Sequence, residues 1–238
     1  MKSLLQLAVV GAVLLLPTVA TAQDKGEATV GADLVSNYIW RGQDLGSAAV
    51  QPTLGVAYKG FSVEAWGNYG IADPDDMKEM DLTLSYEVGG FRFALVDYFY
   101  MGDIDEDRSE KFFMFESHIT VHEFEAAVGY DFGVFSASWN TIFAGNDGVN
   151  RSGKRAYSSY VEVAAPFKFG GLEWEAAVGA VPFMTSYYDD VTGFSVINTR
   201  LKSTKEINIT PTFSVPLYGV LTANPSSGHL YFTVGLSL

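Results

Sequence analysis

The chain has 238 residues, no cysteine, and 28 acidic against 15 basic side chains, which gives a formal net charge of -13 at pH 7. The absence of cysteine excludes a disulfide framework and lipid attachment through a cysteine. The acidic balance argues against nucleic acid as a partner.

The first predicted element is a secretory signal peptide over residues 1–22. Lys2 precedes an apolar run at 4–16, and Ala20-Thr21-Ala22 has the small residues of a cleavage site. The run is shorter than the roughly 20 apolar residues that a membrane-spanning helix needs. We therefore expect one mature domain, 23–238, whose net charge is more negative because Lys2 is removed.

The mature chain alternates apolar and polar residues with a period of two. In 29–41 the even positions are mainly apolar and the odd positions largely polar, and the alternation recurs at 50–58, 61–71, 81–88 and 172–179. This pattern predicts β-strands with one apolar face. Segments of about 10 residues match a tilted strand that crosses a bilayer.

The connections between these segments are alternately short and long. Short turns are predicted at Lys59-Gly60, Gly89-Gly90, Phe132-Gly133, Gly170-Gly171 and Ser203-Thr204. The long loops include two acidic runs, at 73–76 and 103–107, and a basic patch within 145–155. Tight turns at one end and long loops at the other are typical of an outer-membrane barrel with both termini at the tight end.

Twelve strands are predicted, at 27–41, 47–58, 61–71, 79–88, 91–101, 120–131, 134–144, 156–168, 172–182, 194–202, 206–223 and 229–238. The fold class is all-β, a closed antiparallel up-and-down transmembrane β-barrel. Its last strand is expected to pair with its first, because a sheet edge cannot stay unpaired in lipid. Aromatic residues near strand ends, Tyr38 and Trp40 among them, are expected in interface girdles. The structural alternative is a soluble periplasmic β-sandwich with the apolar face buried.

Polar residues on the predicted inner faces are the candidates for lining the lumen. They are Asp33, Asn37, Arg41, Glu64, Trp66, Arg92, Glu125, Glu162, Glu173 and Glu175. Enclosed charges of mixed sign either line water or neutralise one another. A barrel of 12 strands lies between small filled barrels and wide porins, so the lumen is either plugged by side chains or narrowly open.

No catalytic residue, cofactor or metal ion is predicted. His118 and His122 lie about 13 Å apart if they share a strand, too far for one ion. The acidic runs are interpreted as solvated loop charge rather than as cation sites. Only Ser117 beside His118 and Ser227 near His229 resemble a nucleophile with a base, so an enzyme is the least favoured function.

Three segments resemble a family of small bacterial outer-membrane barrels, the TorF-type porin candidates. They are ADLVSNYIWRGQDLG at 32–46, GNDGVNRSGKRAYSSYVEVAAPF at 145–167 and TANPSSGHLYFTVGLSL at 222–238. The resemblance implies the bacterial outer membrane as location, with lipid and the barrel-assembly machinery as partners, the latter through the C-terminal strand. It implies no catalytic motif. Leu238 departs from the aromatic residue that commonly ends such barrels.

The favoured function is that of a porin, with passive passage of small polar solutes through a monomeric barrel. Acidic loops at the mouth would favour cations. The alternative function is a closed structural or surface-binding barrel without transport.

Overall fold

The computed structural model describes residues 26–73, 76, 78–102, 108–116, 118–188 and 191–238. The predicted signal peptide and the acidic run at 103–107 lie outside the described residues, as do the two central residues of the run at 73–76. No helix in the described part of the chain is long and apolar enough to span a membrane.

The described residues form a closed barrel of twelve antiparallel strands and a separate two-stranded hairpin, which confirms the predicted fold class. The first strand, β1 (Glu27–Val35), is followed by the hairpin strands β2 (Tyr38–Trp40) and β3 (Gln43–Gly46). The other barrel strands are β4 (Ala49–Tyr58), β5 (Phe61–Gly70), β6 (Lys78–Val88), β7 (Phe91–Met101), β8 (His122–Asp131), β9 (Ser136–Gly145), β10 (Ser159–Phe169), β11 (Leu172–Val181), β12 (Ser195–Thr210), β13 (Phe213–Asn224) and β14 (His229–Ser237).

The barrel closes where β14 pairs with β1. Leu34 lies opposite Leu236, and Val35 opposite Gly235. Ala32 and Leu238 exchange two backbone hydrogen bonds, of 3.2 and 2.9 Å. Because β1 pairs with β4 on its other side, the predicted pairing of the last strand with the first is confirmed.

Side chains alternate between an apolar exterior and a largely polar interior. Val30, Leu54 and Phe232 are 81%, 58% and 64% exposed, whereas Asp33 and Gln51 are buried. This orientation places the apolar face outside, as predicted, and is the reverse of a β-sandwich. The sandwich alternative is therefore wrong.

The first strand ends at Val35, not at residue 41 as predicted. The chain bends at Ser36-Asn37 and enters the β2–β3 hairpin, whose two-residue turn is Arg41-Gly42. Both turn residues have positive φ, 48° and 80°, as a tight type I′ turn requires.

The predicted turn at Ser203-Thr204 is also wrong. Both residues lie within β12, where Thr204 pairs with Glu173 on one side and Tyr218 on the other. Neither residue has the backbone freedom of glycine, and the β-branched Thr204 suits an extended strand. The turn falls at residues 211–212, where Pro211 has no N–H to donate to the ladder.

The described part of the segment between β7 and β8 packs on the outside of the barrel. His122 is fully buried there, although it lies on the outward face of β8. Its Nδ1 lies 2.7 Å from Asp97 Oδ1 and its Nε2 lies 2.8 Å from the Phe112 carbonyl oxygen. The rings of Phe112 and Phe115 cover the imidazole. His122 thus fastens this segment to the barrel wall.

Candidate functional site

The β2–β3 hairpin, residues 38–46 and hereafter the plug hairpin, lies inside the barrel. Tyr38 packs against Trp66 of β5 at 5.5 Å between ring centroids, and Trp40 against Tyr98 of β7 at 5.8 Å. The Gly42 carbonyl accepts a hydrogen bond of 3.1 Å from an amide on β13. Contacts with strands on different sides are available only to a segment that lies within the ring. The interpretation of Tyr38 and Trp40 as girdle residues is therefore wrong.

The turn of the plug hairpin carries a buried ion pair. Arg41 Nη1 lies 2.6 Å from Glu125 Oε2, and Nη2 lies 2.8 Å from Glu125 Oε1. The guanidinium also lies 4.3 Å from the Trp40 ring and 4.6 Å from the Tyr160 ring. The two side chains are only 4% and 0% exposed, so this bidentate pair fixes the hairpin to β8.

Two adjacent tyrosines from the segment between β11 and β12 complete the plug. The Tyr188 hydroxyl accepts a hydrogen bond of 2.7 Å from Arg41 Nη1. Tyr187 donates to Glu123 at 2.5 Å. Burial raises the pKa of Tyr188 above its usual value, so its hydroxyl stays neutral beside the guanidinium.

One wall of the lumen is acidic. Glu79 and Asp81 of β6 and Glu123 and Glu125 of β8 are all buried on the inner face. Glu79 Oε2 and Asp81 Oδ1 have no hydrogen-bond partner among the described residues. The described chain nevertheless has no group of three or more metal-ligating side chains that could hold an ion.

The opposite wall carries basic side chains of β12. Arg200 Nη2 lies 2.9 Å from Glu175 and 3.5 Å from Glu162. Lys202 Nζ lies 4.1 Å above the Tyr218 ring. That ring fits because residue 235, on the neighbouring strand, is glycine, where a Cβ would collide with it.

A cleft remains between the plug hairpin and this basic wall. Its empty volume is about 590 Å³, counted with the solvent space at its mouth. The lining residues that carry polar side chains include Arg41, Gln51, Asn198, Arg200, Lys202 and Thr222. Val35, Ile39 and Val220 also line this side cleft, which is space inside the barrel that the plug leaves unfilled.

The ten predicted lumen residues lie on β1, β5, β7, β8, β10 and β11, at the bend after β1 and in the plug turn. The structure brings Arg41 to Glu125, and it brings Glu162 and Glu175 together on Arg200. Tyr218 donates a hydrogen bond of 2.9 Å to Asp33.

The remaining candidates occupy separate places. Trp66 packs against the plug hairpin, and Asn37 lines the side cleft. Glu64, Arg92 and Glu173 lie nearer the tight-turn end. Arg92 lies 3.8 Å from Glu87, and Glu173 forms an exposed pair with Lys168 at 2.9 Å. These three belong to the tight-turn mouth of the barrel rather than to the plug.

Sequence reasoning missed the basic wall and the second half of the plug. Arg200 and Lys202 alternate with outward Leu201, which is a strand signal, but the turn wrongly placed at Ser203 ended the strand beside them. Tyr188 lies in a loop without periodicity, so no pattern in the sequence identifies it.

Of the two Ser–His pairs in the sequence, the structure describes both members of one, Ser227 and His229. Ser227 Oγ lies 2.9 Å from His229 Nδ1 at the exposed tip between β13 and β14. Ser117 lies outside the described residues. The Ser227–His229 contact is a local hydrogen bond between residues two positions apart.

No protein-family model and no curated protein matches the chain. Among solved structures it is similar to a porin, with 14% identity and a TM-score of 0.36, over 80% of this chain and 61% of that one. A protein from a study of the in-meso crystallization of membrane proteins matches with 7% identity and a TM-score of 0.40, over 89% and 82% of the two chains. The COG4313 outer membrane channel from Pseudomonas putida F1 matches with 9% identity and a TM-score of 0.37, over 89% and 92%. The chain thus spans less than two thirds of the length of the porin. Likenesses this distant do not transfer a function, and the resemblance to TorF-type barrels stays a prediction.

Proposed function

We propose that the protein is a narrow outer-membrane channel through which small polar solutes pass along the side cleft. The observation that carries this proposal is the side cleft itself, a space with polar and charged side chains in its lining, inside a barrel whose exterior is apolar. An apolar exterior suits lipid, and a closed barrel leaves no unpaired strand edge in it. Insertion by the barrel-assembly machinery through β14, and a monomeric state, are parts of the same proposal.

The charge preference of the channel depends on which residues a solute meets. The acidic loops that predicted a cation preference lie largely outside the described residues. The described lining of the side cleft instead carries Arg41, Arg200 and Lys202.

The plug supports a second candidate, a closed barrel with a structural or surface-binding role. The buried Arg41–Glu125 pair and the aromatic packing around it hold the plug hairpin in place. In this candidate the side cleft is a blind cavity, and solutes do not cross.

Cysteine labelling in planar bilayers tests the channel, because the chain has no native cysteine. Thr233 lines the side cleft, whereas its neighbour Val234 faces outward. The full chain is expected to conduct, and a charged, water-soluble thiol reagent is expected to reduce the current of Thr233→Cys. Val234→Cys is the matched control, since its side chain faces lipid and should be unaffected.

Folding is checked independently by migration in mild detergent before and after boiling. If well-folded protein carries no current across the bilayer, this result contradicts the channel and favours the closed barrel. A current that persists unchanged when Thr233→Cys is fully labelled contradicts the side cleft as its path.

A further inference from the structure

The three cations that line the side cleft have different partners. Arg41 is paired with Glu125, and Arg200 with Glu175 and Glu162. Lys202 is 6% exposed and forms no ion pair with a described carboxylate. Its Nζ lies 4.1 Å from the centroid of the Tyr218 ring. Lys202 is therefore the lining cation whose charge is not directly neutralised.

Two carboxylates, Asp33 and Glu175, act on Lys202 from a distance, and neither forms an ion pair with it. Asp33 accepts a hydrogen bond from Tyr218, and Glu175 lies 2.9 Å from Arg200. An enclosed ammonium without a close counter-ion is costly unless water or a ligand compensates it. The side cleft brings solvent space to Lys202, so a solute there can supply the missing charge.

The rest of the lining favours the same sign of solute. No carboxylate is among the described residues that line the side cleft. Thr222 and Thr233 place hydroxyl groups on the β13 and β14 side, where they can donate to an oxyanion. An ammonium with nearby hydroxyl donors is a common arrangement for binding a carboxylate or a phosphate.

We propose that Lys202 binds small anions in the side cleft and gives the channel a preference for carboxylates and phosphate over cations. The proposal rests on the channel function proposed above and names its solute class. It replaces the cation preference expected from the loops, because a charge inside a narrow passage acts on a solute more strongly than a solvated loop does.

Reversal potentials in a potassium chloride gradient measure this preference. The full chain is expected to favour chloride, and Lys202→Met is expected to lower the chloride-to-potassium permeability ratio by about threefold to tenfold. Lys202→Arg should keep the preference. Lys168→Met is the matched control, since Lys168 is 71% exposed at the tight-turn end and already paired with Glu173.

A second variant neutralises Lys202 without removing it. Val220 lies directly opposite Lys202 in the ladder and also lines the side cleft. Val220→Glu places a carboxylate beside the ammonium and should shift the permeability ratio in the same direction as Lys202→Met. Val220→Gln, of the same size but uncharged, should leave the preference for chloride.

The outcomes separate this inference from the channel function. If the full chain conducts but Lys202→Met and Val220→Glu leave the reversal potential unchanged, the anion site is wrong and the channel stands. If the folded full chain is silent, the channel is wrong, and saturation transfer from the barrel to acetate in nuclear magnetic resonance tests the site alone. A transfer signal that the full chain gives and Lys202→Met abolishes supports the site. An equal signal from both proteins, or no signal from the full chain, overturns it.

Discussion

At the scale of single residues, the plug depends on the Arg41–Glu125 pair. Glu125→Gln removes the negative charge and leaves the Arg41 guanidinium buried at 4% exposure. Breaking one partner of a buried pair costs about 3–5 kcal/mol. We therefore expect the denaturant midpoint of unfolding, measured by tryptophan fluorescence in detergent, to be lower. We also expect a larger unit conductance, because the plug hairpin loosens.

The exposed Lys168–Glu173 pair provides the matched control. Its side chains are 71% and 40% exposed, although the N–O distance is 2.9 Å. Exposed pairs contribute only about 0–1 kcal/mol, so Glu173→Gln should change neither quantity measurably. The double variant Arg41→Met with Glu125→Leu should recover much of the lost stability, since it leaves no buried charge. Equal effects of Glu125→Gln and Glu173→Gln would show that the buried pair does not hold the plug.

At the scale of elements, the sequence predicted where strands occur, but not which of them lie in the barrel wall and which lie inside the barrel. The period of two identified the barrel strands because each has one exposed, mainly apolar face and one enclosed face. The same period continues through Tyr38 and Trp40, so local pattern alone could not show that the chain leaves the wall after Val35. The plug hairpin differs from a barrel strand in its contact with Glu125, which lies 84 positions away from Arg41 in the chain.

The candidate site was predictable to the same extent. Side chains on inward strand positions, such as Asp33 and Glu162, follow from alternation. Their partners do not, because Arg200 reaches Glu162 across 38 positions of sequence and Tyr218 reaches Asp33 across 185. Which charges neutralise one another, and which one is left, depends on long-range pairing that periodicity does not encode.

Removing the plug hairpin as an element should widen the lumen without unfolding the barrel. The β1–β4 ladder ends at the pair Val35–Ala49, so its two strands are adjacent at the point where the hairpin leaves. A short Gly-Ser connection in place of residues 37–46 can therefore join them. We expect unchanged heat-modifiable migration and a unit conductance raised severalfold in planar bilayers.

The control is replacement of residues 150–154, in the loop between β9 and β10, by the same kind of Gly-Ser connection. This change should leave the unit conductance unaltered. That segment is largely exposed and lies outside the plug. If hairpin removal leaves the conductance unchanged while the barrel folds, the plug hairpin does not limit the passage.

At the scale of the whole molecule, the barrel depends on the seam between its two end strands. Three residue pairs register β1 against β14, and the Ala32–Leu238 hydrogen bonds extend this seam by one more, whereas nine pairs register β1 against β4. The seam is thus the shorter of the two ladders that hold β1. It nevertheless decides whether the sheet has open edges, which lipid does not tolerate.

A disulfide across the seam tests closure and register together, because the chain has no other cysteine. Leu34 lies opposite Leu236, and Cα atoms of opposite residues in an antiparallel pair are about 4.5–5.5 Å apart, within the range that a disulfide spans. Leu34→Cys with Leu236→Cys should cross-link on mild oxidation of the folded barrel, and the cross-link should raise its resistance to unfolding on heating. Leu34→Cys with Phe232→Cys is the matched control, since four strand residues add about 13 Å and forbid the bond. Cross-linking of the control pair, or of neither pair in folded protein, would show that the last strand closes the barrel in another register or not at all.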